Sequence, residues 1–151
     1  MIENNIRKVL FIGVGNEYRS DDGIGLVVAR QIREKQIPFI TVKEESGEGA
    51  SLMNAWQGFD DVILIDAVSS GAKPGTIVRF NATKEIIPTK FFHYSTHAFG
   101  VAEAIELARA LNTLPSNFII YGIEGAIFTA GIDISPVVQE SAKIVIEQVS
   151  I

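Results

Sequence analysis

Three near-continuous apolar runs constrain this fold more than any other feature: residues 8–14 (KVLFIGV), 61–67 (DVILIDA) and 117–123 (NFIIYGI). Each run is too apolar to have a wet face, so each reads as a strand buried on both sides. The segments between them follow helical spacing. In residues 21–36, Ile24, Val28 and Ile32 recur every fourth position, and Val27 and Ala29 widen the stripe. Ser20 is placed to cap that helix, with Asp21 and Asp22 in its first turn, where the helix dipole favours negative charge. Pro38 stops it, and residues 39–44 alternate as a strand. A short amphipathic helix is expected over 50–56 and an Ala/Leu-rich one over 98–111, with His97 at its start. Ser135 and Pro136 open the last helix, whose Val138, Ala142, Val145 and Val149 share a face. Gly71, Pro74 and Gly75 make a turn before a short edge strand at 76–80, and residues 91–96 form a loop. Strands alternating with helices predict a mostly parallel sheet covered on both faces.

Composition narrows the chemistry. At 151 residues and 47% hydrophobic, the chain predicts one domain over 1–151 with a substantial core. It contains no cysteine, which excludes disulfides, a thiolate nucleophile and Cys-ligated metals. Two histidines cannot make a three-histidine site, so any metal site must lean on carboxylates. A net charge of −5 disfavours nucleic acid as a partner. The absence of a signal-peptide core or of an apolar run near ~18 residues predicts a cytoplasmic protein without a membrane partner.

In such sheets, ligands bind outside the carboxyl ends of the strands. The residues to inspect therefore follow Val14, lie at Asp66, or follow Tyr121. After Val14 comes Gly15-Asn16-Glu17-Tyr18-Arg19-Ser20-Asp21-Asp22-Gly23-Ile24-Gly25. Gly13-x-Gly15 starts like a dinucleotide fingerprint, but Tyr18 occupies the third glycine position and two acids follow, which would repel a pyrophosphate. A tight turn with helix-capping acids accounts for Asp21; Asp22 fits a cap and a ligand equally well. Asp66 ends an apolar strand, where a carboxylate is costly to bury unless paired or liganded. Should the first and third strands be neighbours, Asp22 and Asp66 converge, and either His93 or His97 would complete a mixed oxygen and nitrogen site. There is no Gly-x-Ser-x-Gly elbow; Ser46 in Glu45-Ser46-Gly47-Glu48-Gly49 is the nearest approach. A carboxylate pair could serve sugar hydrolysis, but Trp56 is the only tryptophan and is expected to pack inward.

Taken in order, Gly13-x-Gly15-Asn16, Asp21-Asp22-Gly23-x-Gly25, Ile65-Asp66-Ala67 and Thr96-His97 resemble the hydrogenase maturation proteases. Pro74-Gly75 and Tyr121-Gly122-Ile123 are similar to later segments of that family. The resemblance spans roughly Val9 to Val149. It implies a three-layer α/β/α sandwich on a twisted, mostly parallel five-stranded sheet. The activity it implies is removal of a C-terminal extension from the large-subunit precursor of a nickel–iron hydrogenase, after nickel insertion. Position by position, it implies that Asp22, Asp66 and His97 bind metal, and these three are also the catalytic candidates; the nucleophile is unassigned. The resemblance further implies nickel supplied by the substrate, at a site that other divalent ions can also occupy. Gly15, Asn16, Gly47, Glu48 and Gly49 are the expected substrate-binding residues, and the protease is expected to act as a monomer. Many members carry an Asp-Gly-Gly-Thr-like stretch where this chain has Glu45-Ser46-Gly47-Glu48-Gly49, so Glu48 and its neighbours are expected to tune partner choice. Two other classes compete: a metal-dependent hydrolase of small esters or amides, and a non-enzymatic metal-delivery or chaperone module. A weak two-carboxylate, one-imidazole set argues against tight delivery.

Overall fold

A computed structural model describes residues 8–92 and 97–150. His93 and Thr96, considered above, lie outside the described residues, as does most of the 91–96 loop. The strands are β1 (Val9–Val14), β2 (Ile40–Glu45), β3 (Asp61–Val68), β4 (Ile77–Asn81) and β5 (Asn117–Glu124). The helices are α1 (Ile24–Glu34), α2 (Gly49–Trp56), α3 (Val101–Ala110) and α4 (Pro136–Val149). The sheet order is β2-β1-β3-β5-β4, parallel throughout except for β4, which runs antiparallel to β5 at one edge.

Alternation along each central strand makes the three layers. Leu10 and Ile12 of β1 and Val62 and Leu64 of β3 pack with Leu52, Trp56, Ala104 and Ile105 of α2 and α3. Phe11 and Ile65 face the other way, onto Ile24, Val28 and Ile32 of α1 and Val138, Ala142 and Val145 of α4. The predicted inward packing of Trp56 holds: its ring meets Phe118 edge-on, centroids 5.0 Å apart. The expected three-layer α/β/α sandwich on a mostly parallel five-stranded sheet is the fold found. No described helix is long and apolar enough to cross a membrane.

Two helix starts differ from expectation, and both bear on the site. Ser20 is not the cap of α1. It lies at φ 55°, and its hydroxyl donates to the Thr129 carbonyl at 2.8 Å. Residues Ser20–Gly23 form a 3-10 turn, and α1 begins at Ile24. Loop contacts engage Ser20 and Asp21 before the helix can use them. Helix α3 begins at Val101 rather than 98, because the Glu103 carboxylate accepts the Gly100 N–H at 2.9 Å and stops the helix there. His97 therefore stands in the loop ahead of α3.

Candidate functional site

Asp66 does not end its strand, because β3 runs on to Val68 through its pairing with β5; β1 stops alongside it at Val14, so the loop after Val14 and Asp66 share one crevice. Glycine sets how closely they approach. A side chain on Gly25 would collide with the carbonyl oxygens of Val14 and Ile65, and one on Gly13 would strike the Gly25 carbonyl. The first turn of α1 thus rests directly on the ends of β1 and β3. The glycine spacing that starts like a dinucleotide fingerprint is explained by backbone contact.

This seating aims Asp22 into a cavity of about 300 Å³ at the carboxyl ends of the strands. The cavity is lined by Gly15, Asn16, Glu17, Asp22, Ser46, Gly47, Asp66 and His97, with Tyr18, Arg19, Ser69, Phe91, Phe92 and Phe128 among the remainder. Asp22 Oδ2 accepts the Asn16 N–H at 3.0 Å, and Asn16 Oδ1 accepts the Tyr18 N–H at 2.9 Å. Asn16 thus shapes the turn that presents Asp22.

The two aspartates oppose each other electrostatically. Burial pushes the Asp66 carboxyl well above its ordinary range, the neighbouring Asp22 charge pushes it further, and the Ala67 N–H offsets only part. Burial also raises Asp22, against the Asn16 N–H and the Arg19 charge. Glu17 lines the same cavity, but its carboxylate pairs with Arg30 at 3.1 Å. Asp22 and Asp66 are therefore a crowded pair of acids that a cation or a proton would relieve. His97 lines the cavity. Among the described residues, no three carboxylate or imidazole groups are close enough to hold an ion together.

The predicted substrate-binding residues divide. Gly15, Asn16 and Gly47 line the cavity. Glu48 instead caps α2, its carboxylate accepting the Ala50 and Ser51 N–H groups at 2.9 and 2.8 Å, which holds it below the usual carboxylate range. Gly49 packs against the Phe99 ring and donates its N–H to the Phe99 carbonyl at 2.8 Å. The expectation that polar residues following Tyr121 would face the site fails at Glu124. Its carboxylate accepts the Ser70 N–H and hydroxyl, away from the cavity.

Sequence reasoning missed the long connection between β5 and α4. Residues 125–135 fold back along the β1–α1 loop. Gly131 N–H donates to the Tyr18 carbonyl at 3.0 Å, Ser20 N–H to Gly131 at 2.8 Å and Asp21 N–H to Ile127 at 2.9 Å. Buried Asp21 locks the pair together. Its carboxylate accepts the Ala126 and Ile127 N–H groups at 2.8 and 3.0 Å, the Ser135 N–H at 2.7 Å and the Ser135 hydroxyl at 2.8 Å. Burial disfavours the charged form, but these bonds outweigh it and hold Asp21 below its ordinary range. Adjacent aspartates thus face opposite ways: Asp21 clasps two loops while Asp22 faces the cavity.

An open α/β sheet with an acidic crevice at the topological switch between β1 and β3 defines a protein that binds its ligand at the strand ends. The chain belongs to the hydrogenase maturation protease family, whose model (HycI) matches residues 27–150. Asp66 and His97 fall inside the match; Asp22 lies just before it. Hydrogenase 2 maturation protease of Escherichia coli is 25% identical over 146 residues, covering 94% of this chain and 88% of the relative. HupD of Bradyrhizobium diazoefficiens, a hydrogenase expression/formation protein, is 25% identical over 127 residues, 78% of this chain but only 62% of its own length. Among solved structures, the [NiFe] hydrogenase maturation protease HybD of Thermococcus kodakarensis superposes with a TM-score of 0.69 at 26% identity, covering 94% of this chain and 96% of that one.

Proposed function

We propose that this endopeptidase acts as a monomer to remove the C-terminal extension from a nickel–iron hydrogenase large-subunit precursor after nickel insertion, sensing the nickel through Asp22, Asp66 and His97. One observation carries the reading. Two acids from separate elements converge in one open cavity at the strand ends, and the histidine lines the same cavity.

The electrostatics support recognition of an incoming ion. A divalent cation between Asp22 and Asp66 relieves their mutual repulsion and favours loss of their protons. A donor set not gathered into a closed three-ligand cage suits an ion that arrives already held by another protein. A tight, closed site would compete for that ion. The cavity lies at the edge of the loops with His97 on its wall, which suits an extended peptide lying across it.

His97→Ala tests the third member of the set. The variant is expected to fold with an unchanged circular dichroism spectrum, because His97 precedes α3 and lies outside both apolar cores. It is expected to process nickel-loaded precursor at about one hundredth of the wild-type rate or less, the scale set by losing a ligand or proton-transfer group. Wild-type processing by the variant would remove His97 from the site.

A further inference from the structure

The stitched loops present something besides the cavity. Tyr18 is 67% exposed, Ile127 50% and Ile132 74%. All three stand on the clasped pair: Tyr18 and Gly131 are hydrogen-bonded, Ile132 follows Gly131, and Ile127 is bonded through its backbone to Asp21. Tyr18 also lines the cavity, as does Phe128, the neighbour of Ile127. Other exposed apolar side chains, such as Phe39 and Ile86, lie on elements that do not line it. Isolated apolar residues of that kind are ordinary on a protein surface. An aromatic and two aliphatic residues carried on two loops that are bonded to each other beside a cavity are less so.

We infer that Tyr18, Ile127 and Ile132 form the surface on which the body of the large-subunit precursor docks, as a folded polypeptide with an apolar strip beside its C-terminal extension. The inference rests on the function proposed above and names where that substrate is held. Tyr18 lines the cavity, and its loop is bonded through the backbone to Gly131 and, via Asp21, to Ile127, so a folded polypeptide whose terminal segment enters the cavity along this wall lies against the loops that carry Ile127 and Ile132. A second copy of this chain is the poorer occupant, because pairing through this face would cover the cavity. A membrane is poorer still, because an acidic chain of net charge −5 is repelled by anionic lipid. The rim is also preorganised. Its backbone bonds and the Asp21 clasp are made before any partner arrives, so docking loses little loop entropy.

The test uses Ile127→Ser/Ile132→Ser, which leaves the cavity lining intact. Binding of nickel-loaded precursor is measured by titration calorimetry alongside its cleavage, with self-association followed by sedimentation. The expected result is a tenfold or greater rise in Kd and KM with kcat unchanged and a monomer throughout. Ile132→Asp alone, at a position too exposed to disturb packing, is expected to shift both in the same direction. Unchanged Kd and KM in variants that fold would overturn the docking surface, as would a loss of self-association without a change in Kd. If wild type binds the precursor without cleaving it, the functional reading fails and the Kd comparison still decides the surface. If wild type does not bind it at all, both fall.

Discussion

Replacing Asp66 with asparagine is expected to separate stability from activity. Asparagine keeps the shape and an acceptor for the Ala67 N–H, but it removes a charge that burial and Asp22 both oppose. The sign follows from the raised carboxyl. Wild-type Asp66 contributes stability while protonated, and that contribution is lost as pH rises through its elevated folded-state value. Asparagine does not titrate, so the stability of the variant relative to wild type grows with pH. At neutral pH the metal-free variant is expected to be more stable by about 1–3 kcal/mol, the scale of relieving a partly compensated buried charge. That corresponds to roughly 2–4 °C in Tm per kcal/mol for a chain of this size. Processing should fall to about one hundredth or less, because the variant can neither carry the charge nor exchange the proton. Thermal melts between pH 4 and 8 with a processing assay check both halves. A Tm difference independent of pH, or full processing, would contradict the assignment. Sites that trade stability for function behave in this way.

The largest loss of stability is expected from Asp21→Ala. Three backbone N–H groups and the Ser135 hydroxyl would lose their acceptor together in a buried setting. Each stranded donor costs about 1–3 kcal/mol, with partial recovery through water, so a total loss of about 3–5 kcal/mol is expected. Such a loss is a large part of the roughly 5–15 kcal/mol that holds most domains together. The pH dependence runs opposite to that of Asp66. Asp21 is held below its ordinary range, so its contribution is present above the unfolded carboxylate range and is lost as pH falls through the lower folded value. Urea denaturation at neutral and acid pH checks this, with the variant flatter than wild type on the acid side. A loss near zero would mean that the clasp is incidental.

These two residues show what could and could not be read from the sequence. The layers follow from runs such as residues 61–67, because apolar residues on both faces of a strand demand helices on both sides. Asp66 stood out as a charge ending such a run, and the adjacency of β1 and β3 brought Asp22 beside it. Local composition could not reveal where Asp21 points. Its partners Ala126, Ile127 and Ser135 are over a hundred positions away, and from sequence alone it read as a helix-capping acid. Ser20 is alike: its hydroxyl bonds the distant Thr129 carbonyl rather than capping α1. Glu48 shows the reverse case: its carboxylate caps α2 through bonds to Ala50 and Ser51, a local role that the adjacent sequence carries. Phe128 and the rim it shares with Ile127 were illegible because their place depends on how a long connection folds back.

The central claim is that nickel carried by the precursor is what the Asp22, Asp66 and His97 cavity inspects. Incubation of the protein with nickel-loaded and with nickel-free large-subunit precursor, followed by intact mass, tests it most directly. The account predicts loss of the C-terminal peptide from the loaded precursor alone. Equal cleavage of both forms, or no cleavage of the loaded one, would contradict it.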